Sequence, residues 1–302
     1  MEDGALLTQW QAFLLTEKRV AKNTYQAYCS DIAQFCTFLQ EYELALNAVK
    51  QVHIKAFIRH LHANAVGARS IARKIAAIKS LYTYLARQHD MQNHAQDIII
   101  PKIEKRLPKY LSEKEIAQLL LINKDDTAPL GYRNHVIINL LYATGMRISE
   151  LATLTIGSLR PDEQLICVIG KGSKERFIPL PKQTMQLLHE YITGIYPALL
   201  HNAPITGYEP LFPVMYGKVI KSISRQSLWM IVKRMCKQAG IQKEVSPHQL
   251  RHSLATHLLK NGADLRSLQL LLGHEQVGTT EIYTHVETSH IREVYDKKHP
   301  RS

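Results

Sequence analysis

Residues 246–259, SPHQLRHSLATHLL, combine the start of a helix with two side chains that suit phosphate. Ser246 and Pro247 are the residue types of an N-cap and a first-turn proline, which predicts that a helix begins here. His248 and Arg251 are three residues apart, so the helix would place them on one face, near its positive N-terminal end. This stretch therefore predicts a helix that binds an anion.

Three further stretches contain residues that could act on the same anion. Arg147 and Glu150 are three residues apart, so a helix would place them on one face. Lys171 lies in a Gly-rich turn between the strand-like segments 164–169 and 176–180, which predicts a β-hairpin with a lysine at its tip. The stretches are ATGMRISEL (143–151), IGKGSKERF (169–177) and LLGHEQVGTTEIYTH (271–285).

In this order and spacing, the four stretches resemble the signature boxes of the tyrosine recombinases and lambda-type integrases. The resemblance covers the whole chain, because NTYQAYCSDIAQFCTFL and ARSIARKIAAIKSLYTYL are similar to the family's core-binding domain. The ending VYDKKHPRS is similar to the Xer type of the XerC kind, whereas NGADLRSLQLLLGH is similar to XerD, and the sequence leaves both open. The implied fold is mainly α: a helical, SAM-like N-terminal core-binding domain, then a mixed α+β catalytic domain with a small antiparallel sheet.

Cleavage of a phosphodiester without a metal needs a nucleophile, donors for an anionic transition state and an acid for the leaving oxygen. The resemblance implies that Tyr283 is the nucleophile, forming a 3′-phosphotyrosyl bond, and that Lys171 is the acid for the 5′ oxygen. It also implies that His274 donates to a non-bridging phosphate oxygen. His248 would assist proton transfer or phosphate binding.

Two arginines complete the six predicted catalytic positions. A guanidinium group binds two phosphate oxygens at once and stays charged, so Arg147 and Arg251 are predicted to clamp the phosphate. Glu150 is predicted to support the site by orienting Arg147, without a direct part in the reaction.

No cofactor and no metal are predicted. His248 and His252 have the spacing of a metal pair, but no third ligand follows at a recognisable zinc spacing, and the four cysteines form no C-x-x-C pair. The segment GKGS is not a nucleotide-binding loop, because that pattern needs Gly where Leu165 stands and Ser or Thr where Gly172 stands. His252 and His257 are expected to be structural.

The chain is predicted to form two domains joined by a linker. Residues 1–100 would be the helical DNA-binding domain and residues 111–302 the catalytic domain. Residues 101–110, PKIEKRLPKY, would be a basic linker, because the two prolines disfavour helix on either side. After the nucleophile, the spacing of residues 287–298 predicts one more short helix.

Two helix starts and one basic helix are predicted from local patterns. Asn23 with Gln26, and Ser112 with Glu115, have the spacing of capping boxes. One helix of the first domain has an apolar stripe, formed by Ile71, Ile75, Ile78, Leu81 and Leu85. The DNA-contacting residues are predicted to be Arg69, Arg73, Lys74 and Lys79 on that helix, and Lys102, Lys105 and Arg106 in the linker.

Composition points to a polyanionic partner. The 302 residues carry a formal net charge of +12, and the excess of Lys and Arg is divided between both predicted domains. With 45% hydrophobic residues the chain can bury a core, yet no apolar run approaches the roughly 18 residues of a membrane helix. We therefore expect a cytoplasmic, nucleoid-associated bacterial protein without membrane insertion.

The resemblance implies conservative site-specific recombination of double-stranded DNA through a Holliday junction, with chromosome dimers at cell division as the substrate. The expected partners are a DNA recombination site, a homo- or hetero-tetramer with a related recombinase, and a DNA translocase as regulator. Three alternatives stay open: a mobile-element integrase, a type IB topoisomerase, and an architectural DNA-binding protein without catalysis. Occupation of all six catalytic positions weighs against the last.

Overall fold

The computed structural model describes residues 3–101, 110–124, 126–170, 175–201, 204, 206–217, 219–273 and 298. Contacts divide the chain into two compact units, Met1–Arg106 and Leu107–Ser302. Several predicted features lie outside the described residues: the helix at 287–298, the linker residues Lys102, Lys105 and Arg106, and the site residues Lys171, His274 and Tyr283.

The first unit is helical, and its core lies between amphipathic faces. The predicted stripe is confirmed, because its five residues are all buried in the longest of the described helices. The predicted helix start at Asn23 is wrong: the N-cap is Ala21, whose extended backbone turns into the helix two residues earlier, without a side-chain cap. The helices are α1 (Asp3–Thr16), α2 (Lys22–Gln40), α3 (Gln51–Ala63) and α4 (Ala68–His89), with a 3-10 turn at Leu46–Ala48.

A buried ion cluster joins α2 to α4. Asp31 is only 1% exposed, and both carboxylate oxygens accept hydrogen bonds from Arg73, at 2.8 and 2.9 Å. Lys74, also buried, donates to Asp31 at 2.8 Å and to Gln34 at 2.6 Å. The ammonium group of Lys74 is therefore occupied inside the domain, which argues against the predicted contact of Lys74 with DNA. Arg73 remains half exposed.

Replacing Asp31 with Ala should destabilise the first unit strongly, because the Lys74 ammonium group would stay buried without its carboxylate. Removing one partner of a buried ion pair costs about 3–5 kcal/mol. Arg73→Ala is the matched control, and it should cost only about 1 kcal/mol or less, since that side chain is half in water. Denaturant unfolding of the full chain measures both. Equal losses from the two variants would contradict the ion cluster as described.

The second unit is a helical domain with two small antiparallel sheets. Its helices are α5 (Glu113–Leu121), α6 (Pro129–Thr144), α7 (Ile148–Ala152), α8 (Lys182–Glu190), α9 (Tyr196–Leu199), α10 (Arg225–Gln238), α11 (Pro247–Lys260) and α12 (Leu265–Leu272). A π-helical turn, Tyr191–Ile195, connects α8 to α9, and a 3-10 turn spans Ile156–Ser158. The strands are β1 (Leu159–Arg160), β2 (Leu165–Ile169), β3 (Glu175–Pro179), β4 (Pro213–Tyr216) and β5 (Val219–Ser222).

The strand pairing confirms the predicted hairpin and adds strands that the sequence pattern did not indicate. The strands β2 and β3 pair antiparallel, and β1 adds to the outer side of β2. The strands β4 and β5 form a second sheet, so the expectation of a single small sheet was incomplete. In the hairpin, Arg176 stands opposite Val168 and Ile178 opposite Ile166, and all four are buried.

Helix α6 is the centre of the second unit, because almost all of its residues are buried. It packs against α5, α8 and α11. The predicted capping box at the start of α5 is confirmed, since Ser112 N–H donates to Glu115 at 2.8 Å and Glu115 N–H donates back to Ser112. Across the described ranges, no helix combines the length and the apolar character required to cross a bilayer.

Candidate active site

The turn at Gly145 brings two arginines to one place. Helix α6 ends at Gly145, whose φ of +59° lies in the left-handed region that favours glycine. A Cβ atom there would lie 2.8 Å from the Leu254 side chain and 2.9 Å from that of Leu272, so a side chain has no room. The Gly145 carbonyl accepts a hydrogen bond from Arg251 at 2.7 Å. Two residues later the chain reaches Arg147.

Arg147 is the N-cap of the short helix α7, and Glu150 binds both its backbone N–H and its guanidinium group. The Arg147 backbone N–H donates to Glu150 at 2.7 Å, and its Nη1 donates to the same carboxylate at 2.9 Å. Glu150 is buried, whereas 43% of the Arg147 side chain is exposed. The predicted spacing therefore places the Arg147 guanidinium so that one side is hydrogen-bonded to Glu150 and much of the rest is exposed.

Arg176, which sequence reasoning missed, is the second guanidinium on Glu150. Its Nη1 and Nη2 donate to the two Glu150 oxygens at 2.8 and 2.9 Å, and the side chain is only 7% exposed. A signal was available in the sequence: Arg176 alternates with Ile178 in the hairpin, so it had to face the core, and a buried arginine needs a partner.

The end of α12 is tied to the same cluster. Arg251, on the buried face of α11, donates to the Leu272 carbonyl, and Arg147 donates to the Gly273 carbonyl at 3.1 Å. Gly273 has a φ of +65°, and a Cβ atom on it would lie 3.1 Å from the Arg176 guanidinium. The backbone at the end of α12 therefore contacts all three arginines, and the next residue in the sequence is His274.

The site carries more positive than negative charge. Among the described residues three guanidinium groups act on Glu150 and on one another, at Arg147, Arg176 and Arg251. Burial lowers the pKa of Arg251 to about 10, and repulsion from Arg147 and Arg176 adds to this effect. Burial alone would raise the pKa of Glu150, but the hydrogen bonds from Arg176 and Arg147 outweigh it, so the pKa is lowered and the carboxylate stays ionised. An anion would relieve the remaining repulsion.

Helix α11 begins as the sequence predicts. Ser246 accepts a hydrogen bond from Gln249 N–H, and the Gln249 side chain accepts one from Ser246 N–H at 2.6 Å. His248 is exposed in the first turn, and partial burial together with the charges of Arg251, His252 and Arg147 lowers its pKa. Neutral imidazole at pH 7 can donate or accept a proton at a phosphate.

The two remaining histidines of α11 contact tyrosine rings. His257 is buried and pairs through Nδ1 with the Tyr142 hydroxyl at 2.9 Å, so its predicted structural role is confirmed. The ring of His252 meets Tyr110 edge-on. Within the described part of the chain, no group of three or more His, Cys, Asp or Glu side chains could hold a metal ion.

Four predicted site residues therefore meet in the described structure: Arg147, Glu150, His248 and Arg251. Lys171, His274 and Tyr283 lie outside it, but two of them are next to described anchors, Gly170 and Gly273. A second surface that sequence reasoning missed is the outer face of α10. It exposes four basic and two large apolar residues, namely Arg225, Lys233, Arg234, Lys237, Trp229 and Met230, with the Lys233 ammonium 5.2 Å from the Trp229 ring centre.

Comparison with known proteins identifies the family. The sequence profile of the phage integrase family matches residues 109–290, and that of the SAM-like N-terminal domain of phage integrases matches residues 7–89. A protein of Staphylococcus saprophyticus named tyrosine recombinase XerD is 37% identical over 300 residues, covering 98% of this chain and 99% of that protein. The chain belongs to the phage integrase family of tyrosine recombinases, enzymes that break and rejoin DNA.

Two solved structures show the same fold at lower identity. One is the XerH site-specific recombinase bound to a palindromic difH substrate, with a TM-score of 0.68 and 23% identity, covering 95% of this chain and 83% of that one. The other is a lambda integrase tetramer bound to a Holliday junction, with a TM-score of 0.66 and 16% identity, covering 98% and 77%. The predicted fold class, a helical SAM-like domain and a mixed catalytic domain, is confirmed.

Gly145→Ala should destabilise the second unit by roughly 2 kcal/mol or more, because it combines a left-handed backbone with overpacking against Leu254 and Leu272. The matched control is Gly194→Ala, a helical position with open space around it, which should be neutral or stabilise by about 0.5–1 kcal/mol. Thermal and denaturant unfolding of the full chain compares them. A neutral Gly145→Ala would show that the turn does not have the described geometry.

Proposed function

We propose that the protein exchanges DNA strands at a specific site through a covalent 3′-phosphotyrosyl bond to Tyr283 and a Holliday junction. The observation that supports this best is the excess of positive charge around Glu150. Two guanidinium groups, Arg147 and Arg176, bind this one carboxylate, and Arg251 adds a third positive charge beside them, so the local charge is balanced only when an anion binds. A scissile phosphate supplies that anion, and its charge grows in the transition state.

The proposed cleavage step balances without a cofactor. The Tyr283 oxygen attacks the phosphorus and loses its proton, the bond to the 5′ oxygen breaks, and Lys171 gives that oxygen a proton. Arg147 and Arg251 bind the non-bridging oxygens, aided by His274, while His248 binds phosphate or moves the proton of the nucleophile. One phosphodiester replaces another of similar energy, so the reverse step rejoins a new 5′ hydroxyl without ATP.

Both units are proposed to contact the duplex. Arg69 and Arg73 are exposed on α4, while Lys79 is partly buried and donates to the Gln96 carbonyl at 2.8 Å. The linker residues Lys102, Lys105 and Arg106 are proposed to follow the phosphate backbone. The basic and aromatic face of α10 adds a contact surface that the sequence had not suggested. We place the protein in the bacterial cytoplasm, on the nucleoid.

The proposals for the assembly and the biological substrate draw support from the relatives. Because a 37%-identical relative is named XerD, and because a lambda integrase of the same fold was solved as a tetramer on a Holliday junction, we propose a tetramer formed with itself or with a related recombinase. The proposed reaction resolves chromosome dimers at cell division, under the control of a DNA translocase.

Tyr283→Phe should abolish the covalent adduct and leave DNA binding intact, because the substitution removes only the oxygen that attacks. The measurement uses a duplex with a nick next to the scissile bond, which traps the adduct, in buffer with excess EDTA. Adduct is counted on a denaturing gel and binding by mobility shift. An adduct formed by Tyr283→Phe at the wild-type yield would refute the assignment. Binding without adduct by the wild-type protein would favour an architectural DNA-binding protein.

Lys171→Ala should cleave normal DNA slowly, by a factor of about 10² or more, because the 5′ oxygen would leave without an acid. On DNA with sulfur at the 5′ bridging position the variant should recover most of its rate, since a thiolate leaves without a proton. Arg147→Ala, which should be slow on both substrates, is the control. Equal defects of Lys171→Ala on the two substrates would exclude an acid role.

A further inference from the structure

Arg176 has no predicted part in phosphate binding, yet it is one of two deeply buried arginines of the described site. Its side chain is 7% exposed, and both terminal nitrogens are used by Glu150. Its Nε is buried without a partner among the described residues. A buried charge with an unsatisfied donor is costly, so Arg176 is not explained by its contribution to stability alone.

Three segments that carry the proposed catalytic residues meet at this one side chain. Arg176 itself lies on β3, five residues after Lys171 on the same hairpin. Its guanidinium binds Glu150, which holds Arg147 through two further hydrogen bonds. Its flat face lies against Gly273, where a Cβ atom would be only 3.1 Å away, and His274 follows directly.

We propose that Arg176 is a positioning residue that fixes the lysine hairpin, the Arg147 turn and the end of α12 relative to one another. The inference rests on the proposed function, because it assigns the purpose of the arrangement to DNA cleavage. Arg176 acts through Glu150 and Gly273 and does not touch the phosphate.

Arginine is the side chain that can contact the Glu150 carboxylate and the Gly273 backbone at the same time. Its planar fork donates two parallel hydrogen bonds to a carboxylate, and its face can lie flat on a glycine backbone. Lysine would keep the charge but supply one donor point, and glutamine would keep a donor but lose the charge. The two substitutions therefore separate charge from geometry.

Loss of Arg176 should also make the reaction sensitive to acid. Among the described residues, the charged groups that act on Glu150 are Arg147 at the start of α7, Arg176 of β3 and Arg251 of α11. Without Arg176, burial is less well offset, so the pKa of Glu150 rises. As the pH falls through that raised value, Glu150 takes up a proton and its hold on Arg147 weakens. A purely structural role for Arg176 would lower the rate without moving the pH profile.

The test compares Arg176→Gln, Arg176→Lys and the double variant Glu150→Gln/Arg176→Gln with the wild type. Arg160→Gln is the matched control, since it removes the same charge from the same sheet at an exposed position. Single-turnover adduct formation on the nicked duplex is measured between about pH 5.5 and 8.5, alongside one-site DNA affinity and thermal unfolding.

We expect Arg176→Gln to form adduct roughly 10- to 100-fold more slowly than wild type at neutral pH. Its rate should begin to fall on the acid side (the acidic limb of the pH profile) at a higher pH than the wild-type rate does. Its affinity for one-site DNA should stay within about threefold of the wild-type value. Arg176→Lys should lie between the two, and the double variant should lack the acidic limb. If Arg176→Gln fails to fold, Arg176→Lys decides by the same two criteria.

Two results would overturn the inference: rates like those of Arg160→Gln, or slow cleavage with the wild-type pH profile. If the double variant kept the shifted acidic limb of the pH profile, the claim that Arg176 acts through Glu150 would be wrong. Absence of adduct from the wild type itself would instead reject the proposed function, and the inference with it.

Discussion

The arrangement of the arginines in the described site depends on the buried carboxylate of Glu150. A carboxylate that is 3% exposed is stable only if strong donors surround it, and here two guanidinium groups and a backbone N–H supply four hydrogen bonds. One negative charge cannot balance Arg147, Arg176 and Arg251 together. The fold therefore concentrates positive charge at a fixed point, and the missing negative charge is what a DNA phosphate carries.

The same arginines also hold the backbone of the described frame. Backbone carbonyls of Gly145, Leu272 and Gly273 accept hydrogen bonds from Arg251 and Arg147, so the arginines hold the chain as well as the proposed substrate. Each guanidinium has five N–H donors, and those directed inward leave others for a ligand. The segment with His274 and Tyr283 starts from the last of these anchored carbonyls.

Much of this frame could be predicted from local sequence. The N-cap of α11, the left-handed end of α6 at Gly145, the capping box of α5 and the hairpin each depend on a few adjacent residues, and all are present in the structure. The spacing of Arg147 and Glu150 likewise predicted their contact.

Interactions between distant segments could not be predicted in this way. Lys74 follows the basic pattern of α4, yet its ammonium group pairs with Asp31, 43 residues away on another helix. Arg176 meets Glu150, which lies 26 residues earlier in the chain, and no local pattern shows that pairing. The short strands β4 and β5 have too few residues for alternation to distinguish them from loop.

Arg147 and Arg251 are proposed to neutralise the negative charge of the scissile phosphate. The most direct measurement is cleavage of a nicked duplex in which that phosphate is an uncharged methylphosphonate, by the wild type, Arg147→Ala and Arg251→Ala. If the guanidinium groups neutralise the phosphate, each alanine variant should lose far less activity on the neutral substrate than on normal DNA. Equal losses on both substrates would contradict the account, because the arginines would then act on something other than the phosphate charge.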